Sequence, residues 1–362
     1  MKIHVLSLAH TQTTRKFSNC AYTAKVVNFC EMMKMLGHEV ILYASEDNDA
    51  PVDELVTCIT KAEQLEYCAV AGPEDILNPK AGFNEKLPHW QIYNKRAAIE
   101  LKKRVGEGDI LALNQGWMQQ SLASVVPQAI AVEIGVGYQG ISLRDDIYRA
   151  FESETWRAQL MGKFYGAQGV QGRFQDRMIP GFLRLKDFPF VESNKGNYVL
   201  YVGRMNEDKG VGVAAMAAKK TGVKLITAGI GSTIPNEKLH KGHVGPIGRA
   251  KLMGGALALL APSIYMEPFG NVVIEAQACG TPTITTDFGA FVETNNDGVT
   301  GFRCNTMDEF AEAITKASSI SRKECRWNAE SYSLENVAPL YEEWFNSLKA
   351  ERSRGSWLSF SE

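Results

Sequence analysis

The sequence predicts an α/β protein of two domains, each a doubly wound parallel sheet with helices on both faces. The chain has 362 residues, and a single hydrophobic core seldom grows beyond ~250–300 residues, so two domains are expected. Residues 3–44 have the pattern of strand, loop, helix and strand, and a second strand–helix series begins at Tyr198 after a polar, irregular stretch. Strands joined by helices in this way form parallel sheets with right-handed crossovers.

The first strand–helix series starts at the amino terminus. Residues 3–8 and 39–44 are short apolar runs typical of buried strands. Residues 20–36 carry apolar side chains at helical spacing and are followed by Gly37, which indicates the end of a helix. The polar loop 10–19 follows the first strand. Because ligands of doubly wound sheets bind beyond the carboxyl ends of the strands, this loop is expected to face a ligand.

The rest of the N-terminal domain is predicted from weaker patterns. Strands are expected at residues 110–113 and 130–134, and a helix at residues 91–105 after a Pro/Gly-rich loop. The span 151–156 also has a helical pattern. For the basic flank of the helix 91–105, a solvated face is favoured over an acceptor or lipid patch. That flank consists of Lys95, Arg96, Lys102, Lys103 and Arg104.

The second series contains four apolar runs that are typical of strands in a parallel sheet. They are residues 198–202, 223–228, 257–261 and 283–285. The domain boundary is placed near residues 181–196, which gives an N-terminal domain 1–185 and a C-terminal domain 186–335. The closing stretch 336–362 contains an amphipathic helix at residues 338–348.

Composition and charge exclude several classes of protein. The chain is 45% apolar and 22% charged with a formal net charge of −2, so nucleic acid is not an expected partner and peripheral membrane contact is not indicated. Its seven cysteines include no CxxC pair, which is typical of reduced thiols. The amino terminus has the pattern of a strand rather than a signal peptide, and no apolar run approaches the ~20 residues of a membrane span. The sequence therefore predicts a cytoplasmic protein without a transmembrane segment.

The most informative motif is a pair of glutamates, Glu267 and Glu275, separated by a Pro-Phe-Gly turn and the start of a helix. Gly270 allows the backbone to approach a ligand closely, and the first helical turn after it presents free N–H groups that suit a phosphate. The two carboxylates can accept hydrogen bonds from hydroxyl groups. This combination suits a phosphate linked to polyols, which describes a nucleotide sugar.

A second motif lies upstream, where the strand 198–202 ends in Gly203 and Arg204 and is followed by Lys209 and Gly210. Arg204 offers a planar fork of donors for phosphate oxygens, and Lys209 offers a mobile point charge. Both would stabilise the negative charge that develops on a departing phosphate. Farther on, the strand 223–228 is followed by Gly229 and Gly231, which would permit close approach of a ligand, and residues 244–248 precede a short helix.

Together the two motifs resemble those of the family-4 retaining glycosyltransferases, which have the GT-B fold: two Rossmann-like domains that face a central cleft and close by a hinge. The resemblance implies that Arg204 and Lys209 contact the diphosphate and that Glu267 contacts the donor sugar. It also implies that Glu275 holds the ribose hydroxyls. Gly203 and the backbone amides of Gly270, Asn271 and Val272 would complete the donor site. The family places its nucleobase pocket at residues 244–248 and packs its terminal helix on the N-terminal domain.

The N-terminal domain departs from the family pattern. The first loop lacks the Gly-Gly pair of many members, and Thr11 and Arg15 are the candidates there for holding phosphate or acceptor. No strand-end histidine of the family's kind is found. Glu133, at the end of the strand 130–134, occupies that region and is a candidate on the acceptor side. Its alternative role is that of a polar residue satisfied within a loop.

Two other motifs are interpreted as coincidental. Residues 135–140 form a GxGxxG pattern, but the acidic strand end of a dinucleotide site is missing, so no NAD is expected. Residues 47–49 form a DxD pattern within a polar stretch that is more simply a solvated loop. Because Arg204 and Lys209 can supply the positive charge that a metal would supply, neither a metal nor another cofactor is predicted.

The sequence thus predicts a metal-independent, retaining glycosyltransferase. Its donor is a nucleotide-diphospho-sugar and its acceptor bears a hydroxyl group. The family's favoured mechanism lets the leaving phosphate deprotonate the acceptor, which accounts for the lack of a clear protein base. Two alternatives stay open: a phosphorylase-like or epimerase-like enzyme of the same fold, and a catalytically silent protein that binds sugar nucleotides. The base, the sugar and the acceptor are left open.

Overall fold

The structure is a computed structural model that describes residues 1–135, 140–166, 175–193 and 196–354. Most of the GxGxxG pattern, residues 136–139, lies outside these ranges. The chain divides into two compact units. The N-terminal unit comprises Met1–Glu152, Leu160–Ile179 and the chain from Val337 onward, and the C-terminal unit comprises Ser153–Gln159 and Pro180–Asn336. The chain thus passes from the N-terminal to the C-terminal unit mainly at residue 180, whereas the sequence places the domain boundary at residue 185.

The N-terminal unit is built on a sheet of seven parallel strands in the order β3-β2-β1-β4-β5-β6-β7. The strands are β1 (Lys2–Leu6), β2 (Glu39–Ala44), β3 (Glu54–Thr57), β4 (Ile110–Leu113), β5 (Ile130–Glu133), β6 (Ile147–Phe151) and β7 (Arg177–Met178). The strand order reverses between β1 and β4, so this sheet is doubly wound as predicted. One expectation was wrong: Phe151 ends a strand, and the helix expected over 151–156 begins only at Glu154.

The C-terminal unit has a parallel sheet of five strands in the order β12-β11-β10-β8-β9. The strands are β8 (Tyr198–Val202), β9 (Lys224–Ala228), β10 (Ala258–Ala261), β11 (Thr283–Thr286) and β12 (Gly301–Cys304). Val199 and Tyr201 face one hydrophobic cluster while Leu200 faces another, because side chains alternate along a strand. Both faces of the sheet are therefore buried, which explains the continuous apolar runs in the sequence.

Helices lie in most of the connections between strands and continue after β12, the last strand. They are α1 (Ala21–Met35), α2 (Lys61–Cys68), α3 (Pro88–Arg104), α4 (Gly116–Gln119), α5 (Ser121–Val125), α6 (Glu154–Tyr165), α7 (Val211–Thr221), α8 (Pro246–Gly255), α9 (Asn271–Ala278), α10 (Phe291–Thr294), α11 (Met307–Lys316), α12 (Arg322–Glu330) and α13 (Leu334–Arg354). Within the described part of the chain, no helix has the length and apolar character needed to cross a bilayer.

Local sequence explains the start of several helices. Thr60 and Glu63 form a capping box at α2, in which each side chain accepts a backbone N–H of the other's residue. Pro88 starts α3, where its missing N–H is not needed. Arg96 in the basic flank of α3 forms a two-bonded ion pair with Glu63, with N–O distances of 2.7 Å. This pairing favours the solvated-face interpretation of that flank.

The long helix α13 lies against the N-terminal unit from Val337 onward. Its aromatic side chains Tyr341, Trp344 and Phe345 are buried. The Tyr341 hydroxyl donates to the carbonyl of Ile134 at 2.8 Å, and the Trp344 indole N–H donates to the carbonyl of Gln175 at 2.6 Å. The carboxyl-terminal segment of the chain thus completes the core of the unit that the amino terminus begins.

Candidate functional site

The candidate donor site lies where the strand order of the C-terminal sheet reverses. Strands β8 and β10 are neighbours in that sheet, although β9 lies between them in the sequence. The loop 203–210 follows β8, and the loop 262–270 follows β10. Both leave the carboxyl edge of the sheet at a topological switch point, the position at which open α/β sheets bind ligands. The two sequence motifs are therefore brought together by the fold.

A compact charged cluster joins the two loops. The Lys209 ammonium lies 2.7 Å from Glu267 Oε1 and 2.8 Å from the Tyr265 hydroxyl. Glu267 is 5% exposed, and its two oxygens also meet the hydroxyls of Ser263 and Tyr265, each at 2.6 Å. A buried carboxylate is stable only when it is paired and hydrogen-bonded, and Glu267 satisfies both conditions.

A buried tyrosine of β8 stabilises the loop that carries Arg204 and Lys209. The hydroxyl of Tyr201, a buried residue of β8, lies 2.8 Å from the Arg204 carbonyl and 3.2 Å from the Lys209 carbonyl. Burial raises the pKa of this phenol, so it stays protonated and can donate its single proton to either carbonyl. Gly210 adopts a positive φ of 72°, and a Cβ there would collide with the Pro262 carbonyl of the neighbouring loop. Glycine thus allows the two loops to touch.

Arg204 differs from Lys209 in being exposed. Among the described residues, its guanidinium has no hydrogen-bond or ion-pair partner, which leaves its donors open to a ligand. Gly203, also predicted in the donor site, uses its N–H to donate to the carbonyl of Ala228 at 3.0 Å. Its carbonyl approaches Gly229 so closely that a Cβ there would collide with it. Gly229 therefore allows two strand ends to pack closely, and close approach of a ligand there stays a prediction.

The start of α9 has the geometry expected of an anion site. Gly270 precedes the helix with φ 86° and ψ 54°, a left-handed conformation that favours glycine. No side chain caps the helix, and the N–H groups of Asn271 and Val272 lie in the first turn, where no intrahelical acceptor exists. The Asn271 Oδ1 atom is buried and has no hydrogen-bond partner among the described residues. The turn thus leaves backbone N–H groups without intrahelical acceptors, and their contact with a ligand stays a prediction.

Glu275 has a partner that the sequence did not reveal. Arg249 of α8 forms a bidentate ion pair with it, with N–O distances of 2.9 Å and 2.7 Å. Arg249 also contacts the carbonyl of Val244, within the segment where the nucleobase pocket is expected. Glu275 is thus fixed in direction, since a planar fork-to-fork pair allows one orientation. Its contact with ribose stays a prediction.

The candidate acceptor-side residues of the N-terminal unit make more contacts within the protein than Arg204 does. Thr11 is fully buried, and its hydroxyl lies 2.7 Å from that of Thr23. Arg15 begins a short 3-10 turn, donates its backbone N–H to Asp49 at 2.8 Å and places its guanidinium 3.4 Å from Glu31. Thr11 therefore has no exposed surface that could contact an acceptor, whereas 34% of the Arg15 side chain is exposed.

Glu133 is buried at the end of β5, and both of its oxygens are used. One accepts the N–H of Gly116 at 3.2 Å and the other accepts the N–H of Ser142 at 3.1 Å. Burial raises the pKa of Glu133 to about 7. Nearby, Lys25 forms a buried ion pair with Glu152, and burial lowers the pKa of Lys25 to about 7. This arrangement favours the alternative left open by the sequence, a carboxylate satisfied within loops.

The DxD pattern is also accounted for by local contacts. Asp47 pairs with Lys61 at 2.7 Å, and Asp49 accepts the backbone N–H of Arg15. Over residues 1–135, 140–166, 175–193 and 196–354, no group of three or more His, Cys, Asp or Glu side chains has a spacing that could hold a metal ion.

Comparison with known proteins finds a glycosyltransferase family over part of the chain. Residues 184–333 match the family described as Glycosyl transferases group 1. The phosphatidyl-myo-inositol mannosyltransferase of Mycobacterium leprae (strain TN) is 24% identical to this chain over 317 residues, which are 80% of each protein. The glycogen synthase of Mycobacterium tuberculosis (strain ATCC 25618 / H37Rv) is 35% identical over 127 residues, which are 30% of each.

Solved structures show the same fold along nearly the whole chain. The sucrose-phosphate synthase of Thermosynechococcus elongatus has a TM-score of 0.69 at 18% identity and covers 97% of this chain and 99% of its own. HepE of Anabaena, in complex with UDP and glucose, has a TM-score of 0.64 at 16% identity and covers 96% of this chain and 100% of its own. At these identities the likeness shows the fold alone. It is the GT-B fold, and the predicted fold class is confirmed.

Proposed function

We propose that this chain, whose residues 184–333 match the group 1 glycosyl transferases, moves a sugar from a nucleotide diphosphate to an acceptor hydroxyl with retention of configuration. The observation that carries the proposal is the 2.7 Å ion pair between Lys209 and Glu267, which joins the two sequence motifs at one sheet edge. A cation for phosphate and a carboxylate for hydroxyl groups stand side by side there. A nucleotide sugar presents both chemical groups.

The diphosphate would be held by two cations and one helix start. Arg204 is exposed with an unpaired guanidinium fork among the described residues, and Lys209 is anchored at the same strand end. The first turn of α9 adds backbone N–H donors and the positive end of the helix dipole. Such donors stabilise the leaving phosphate most when its charge is fully developed, which is the condition for catalysis. We therefore propose a reaction without a metal.

Glu267 and Glu275 would bind the two polyol ends of the donor. Glu267 is held rigidly by Ser263 and Tyr265, so it can accept a sugar hydroxyl in a fixed position. Glu275 is oriented by Arg249 next to the segment where the nucleobase pocket is expected. The structures of HepE and of the pneumococcal O-GlcNAc transferase GtfA contain UDP. Uridine diphosphate is accordingly the first nucleotide to test.

In the proposed reaction, the bond between the anomeric carbon and the diphosphate oxygen breaks, and a bond from that carbon to the acceptor oxygen forms. The acceptor proton passes to the leaving phosphate on the same face of the sugar. This path needs no protein base. It agrees with the N-terminal unit, where the buried carboxylate of Glu133 is occupied by two backbone N–H groups.

The first test is a thermal-shift screen of the protein with UDP, GDP, ADP, CMP and dTDP, each with and without EDTA. A ligand that binds only the folded state stabilises it by about 2.7 kcal/mol at a hundredfold excess over its dissociation constant. We expect a shift with one of the diphosphates, insensitive to EDTA. The shift should be lost in Lys209→Ala, since that change removes a charge that contacts the diphosphate. No shift with any nucleotide would contradict the donor site.

Turnover then separates the remaining interpretations. Transfer requires an acceptor, so nucleotide release that depends on added acceptor supports the proposal. Release that depends on phosphate would identify a phosphorylase, and interconversion of the sugar would identify an epimerase. Binding without any turnover would identify a silent protein.

A further inference from the structure

Tyr265 occupies a central position in the charged cluster, although it belongs to neither sequence motif. Its hydroxyl lies 2.8 Å from the Lys209 ammonium and 2.6 Å from Glu267 Oε2. Its ring lies under the same ammonium, with 4.5 Å between Lys209 Nζ and the ring centroid. The side chain is half-buried in the loop after β10. One tyrosine thus contacts both charged groups of the candidate donor site.

The protons of the cluster can be assigned from chemistry alone. An ammonium group only donates, so Lys209 donates to the Tyr265 oxygen and to Glu267 Oε1. The single phenolic proton of Tyr265 then goes to Glu267 Oε2, and the Ser263 hydroxyl donates to Oε1. A carboxylate offers about four lone-pair positions, two on each oxygen. Within the described part of the chain, three are occupied, and the one left open is on Oε2.

We infer that Tyr265 is a positioning residue, which holds the Glu267 carboxylate so that a single acceptor position on Oε2 faces the donor sugar. The inference rests on the proposed function. When a diphosphate binds, its negative charge competes with Glu267 for the Lys209 ammonium, and the hold of Lys209 on Glu267 weakens. The Tyr265 hydroxyl then keeps the carboxylate in place through Oε2. Without it, the carboxylate has two open positions on that oxygen and only Ser263 as a neutral anchor.

Tyr265→Phe tests this inference because it removes the hydroxyl and keeps the ring beside Lys209. We expect kcat to fall roughly tenfold or more, the effect of losing one hydrogen bond to a charged group in the transition state. The dissociation constant for the nucleotide diphosphate should stay within about twofold, since the diphosphate contacts do not use this hydroxyl. A merely structural role would instead weaken binding and lower the melting temperature together.

The matched control is Tyr198→Phe. This tyrosine starts β8, at the opposite end of the strand, and its hydroxyl donates to the Leu252 carbonyl at 2.7 Å. The change removes a hydrogen bond of the same kind in the same unit and should leave kcat unchanged. Wild-type kcat in Tyr265→Phe would overturn the inference. So would a fall in kcat accompanied by an equal loss of nucleotide affinity.

A second measurement does not depend on turnover. A lysine ammonium held by hydrogen bonds exchanges its protons slowly, so Lys209 should give a side-chain signal in a 1H–15N spectrum, assigned with Lys209→Arg. We expect that signal to broaden in Tyr265→Phe and to persist in Tyr198→Phe. An unchanged signal in Tyr265→Phe overturns the inference. If the wild-type protein transfers no sugar from any donor, the proposed function fails, and this signal still decides whether Tyr265 positions the pair.

Discussion

At the scale of single residues, Glu133 shows that a carboxylate at the end of a strand can have a structural role instead of a role in binding a substrate. It lies at the end of a central strand, where the sequence predicts a candidate for contact with the acceptor, yet it accepts the backbone N–H groups of two loops, at Gly116 and Ser142. The space beside it is so full that a Cβ on Gly116 would collide with the carboxylate. Such a residue acts on stability and on loop geometry, and its charge state should be visible in the pH dependence of unfolding.

We predict that stability falls as the pH rises through the titration of Glu133. Its pKa is about 7 in the folded protein because burial disfavours the charge, and 4.5 is the ordinary value expected in the unfolded chain. Between these pH values the folded state holds one proton more at Glu133, so the contribution of this residue to the free energy of unfolding declines with rising pH and is level above about 7. Glu133→Gln removes this titration. Urea unfolding of both proteins between about pH 5 and pH 8 measures the difference.

Glu63→Gln is the matched control for this prediction, with the opposite sign. The Arg96 guanidinium lowers the pKa of Glu63 to about 2. Its contribution is therefore fully present above about pH 4.5 and is lost only as the pH falls toward 2. The difference between wild type and Glu63→Gln should be constant over the range in which that for Glu133→Gln changes. A constant difference for Glu133→Gln as well would show that Glu133 titrates normally in the folded protein.

At the scale of elements, the start of α9 depends on one glycine. Gly270 has φ 86°, and a Cβ there would lie 2.6 Å from the ring of Phe291. The left-handed turn directs the first N–H groups of α9 away from the preceding chain, and the ring beneath leaves no space for a side chain. Backbone conformation and packing therefore both require glycine here.

We predict that Gly270→Ala destabilises the protein more than Gly298→Ala does. Gly298 has φ 73° and nothing within 4 Å of a Cβ, so its replacement adds only backbone strain, about 1–2 kcal/mol. Gly270→Ala adds the same strain and a clash with Phe291, a further ~1–3 kcal/mol. Denaturant unfolding measures both. Nucleotide affinity should fall about tenfold in Gly270→Ala, because the N–H donors of α9 shift, and should not change in Gly298→Ala.

Equal destabilisation by the two substitutions would mean that Phe291 moves aside at little cost. Unchanged nucleotide affinity in Gly270→Ala would remove the start of α9 from the donor site. In either case Gly298→Ala separates the effect of backbone strain from the effect of the site.

Strands that are buried on both faces could be predicted from the sequence more reliably than strands at the edges of the sheets. Strands β2, β4 and β8 were predicted with their observed bounds because both faces are covered and the apolar runs are unbroken. Strands β3, β7 and β12 were missed because they lie at sheet edges, where a short or half-polar sequence suffices. Strand β6 was missed for another reason, given by Arg149. This buried arginine interrupts the apolar run and pairs with Asp176, with 3.0 Å between Arg149 Nε and Asp176 Oδ2.

The candidate site divides in a similar way. Arg204, Lys209 and Glu267 stand in a spacing that the sequence itself displays, and the structure places Lys209 and Glu267 in contact. Tyr265, Tyr201 and Arg249 carry no such signal, because their roles arise from pairings across loops and helices that are set by tertiary packing. Spacing along the chain therefore identifies candidate ligand-binding residues more readily than it identifies the residues that hold them in place.

At the scale of the whole molecule, the two units differ in what they contribute. The proposed donor groups all belong to the C-terminal unit, whereas the carboxyl-terminal helix α13 contributes its aromatic side chains to the N-terminal unit. Trp344 is 1% exposed and is hydrogen-bonded to Gln175, and Phe345 packs against Phe29 of α1. Stability of the N-terminal unit and nucleotide binding by the C-terminal unit should therefore respond to different substitutions.

We predict that Trp344→Ala destabilises the protein by about 3–5 kcal/mol, the usual cost of removing a buried aromatic side chain, and leaves nucleotide affinity unchanged below its melting temperature. Trp327 in α12 is the matched control, because it is 70% exposed and its replacement by alanine should have little effect. Calorimetric melting with and without the bound diphosphate measures stability, and titration at low temperature measures affinity. A loss of affinity in folded Trp344→Ala would show that the donor site depends on the N-terminal unit as well.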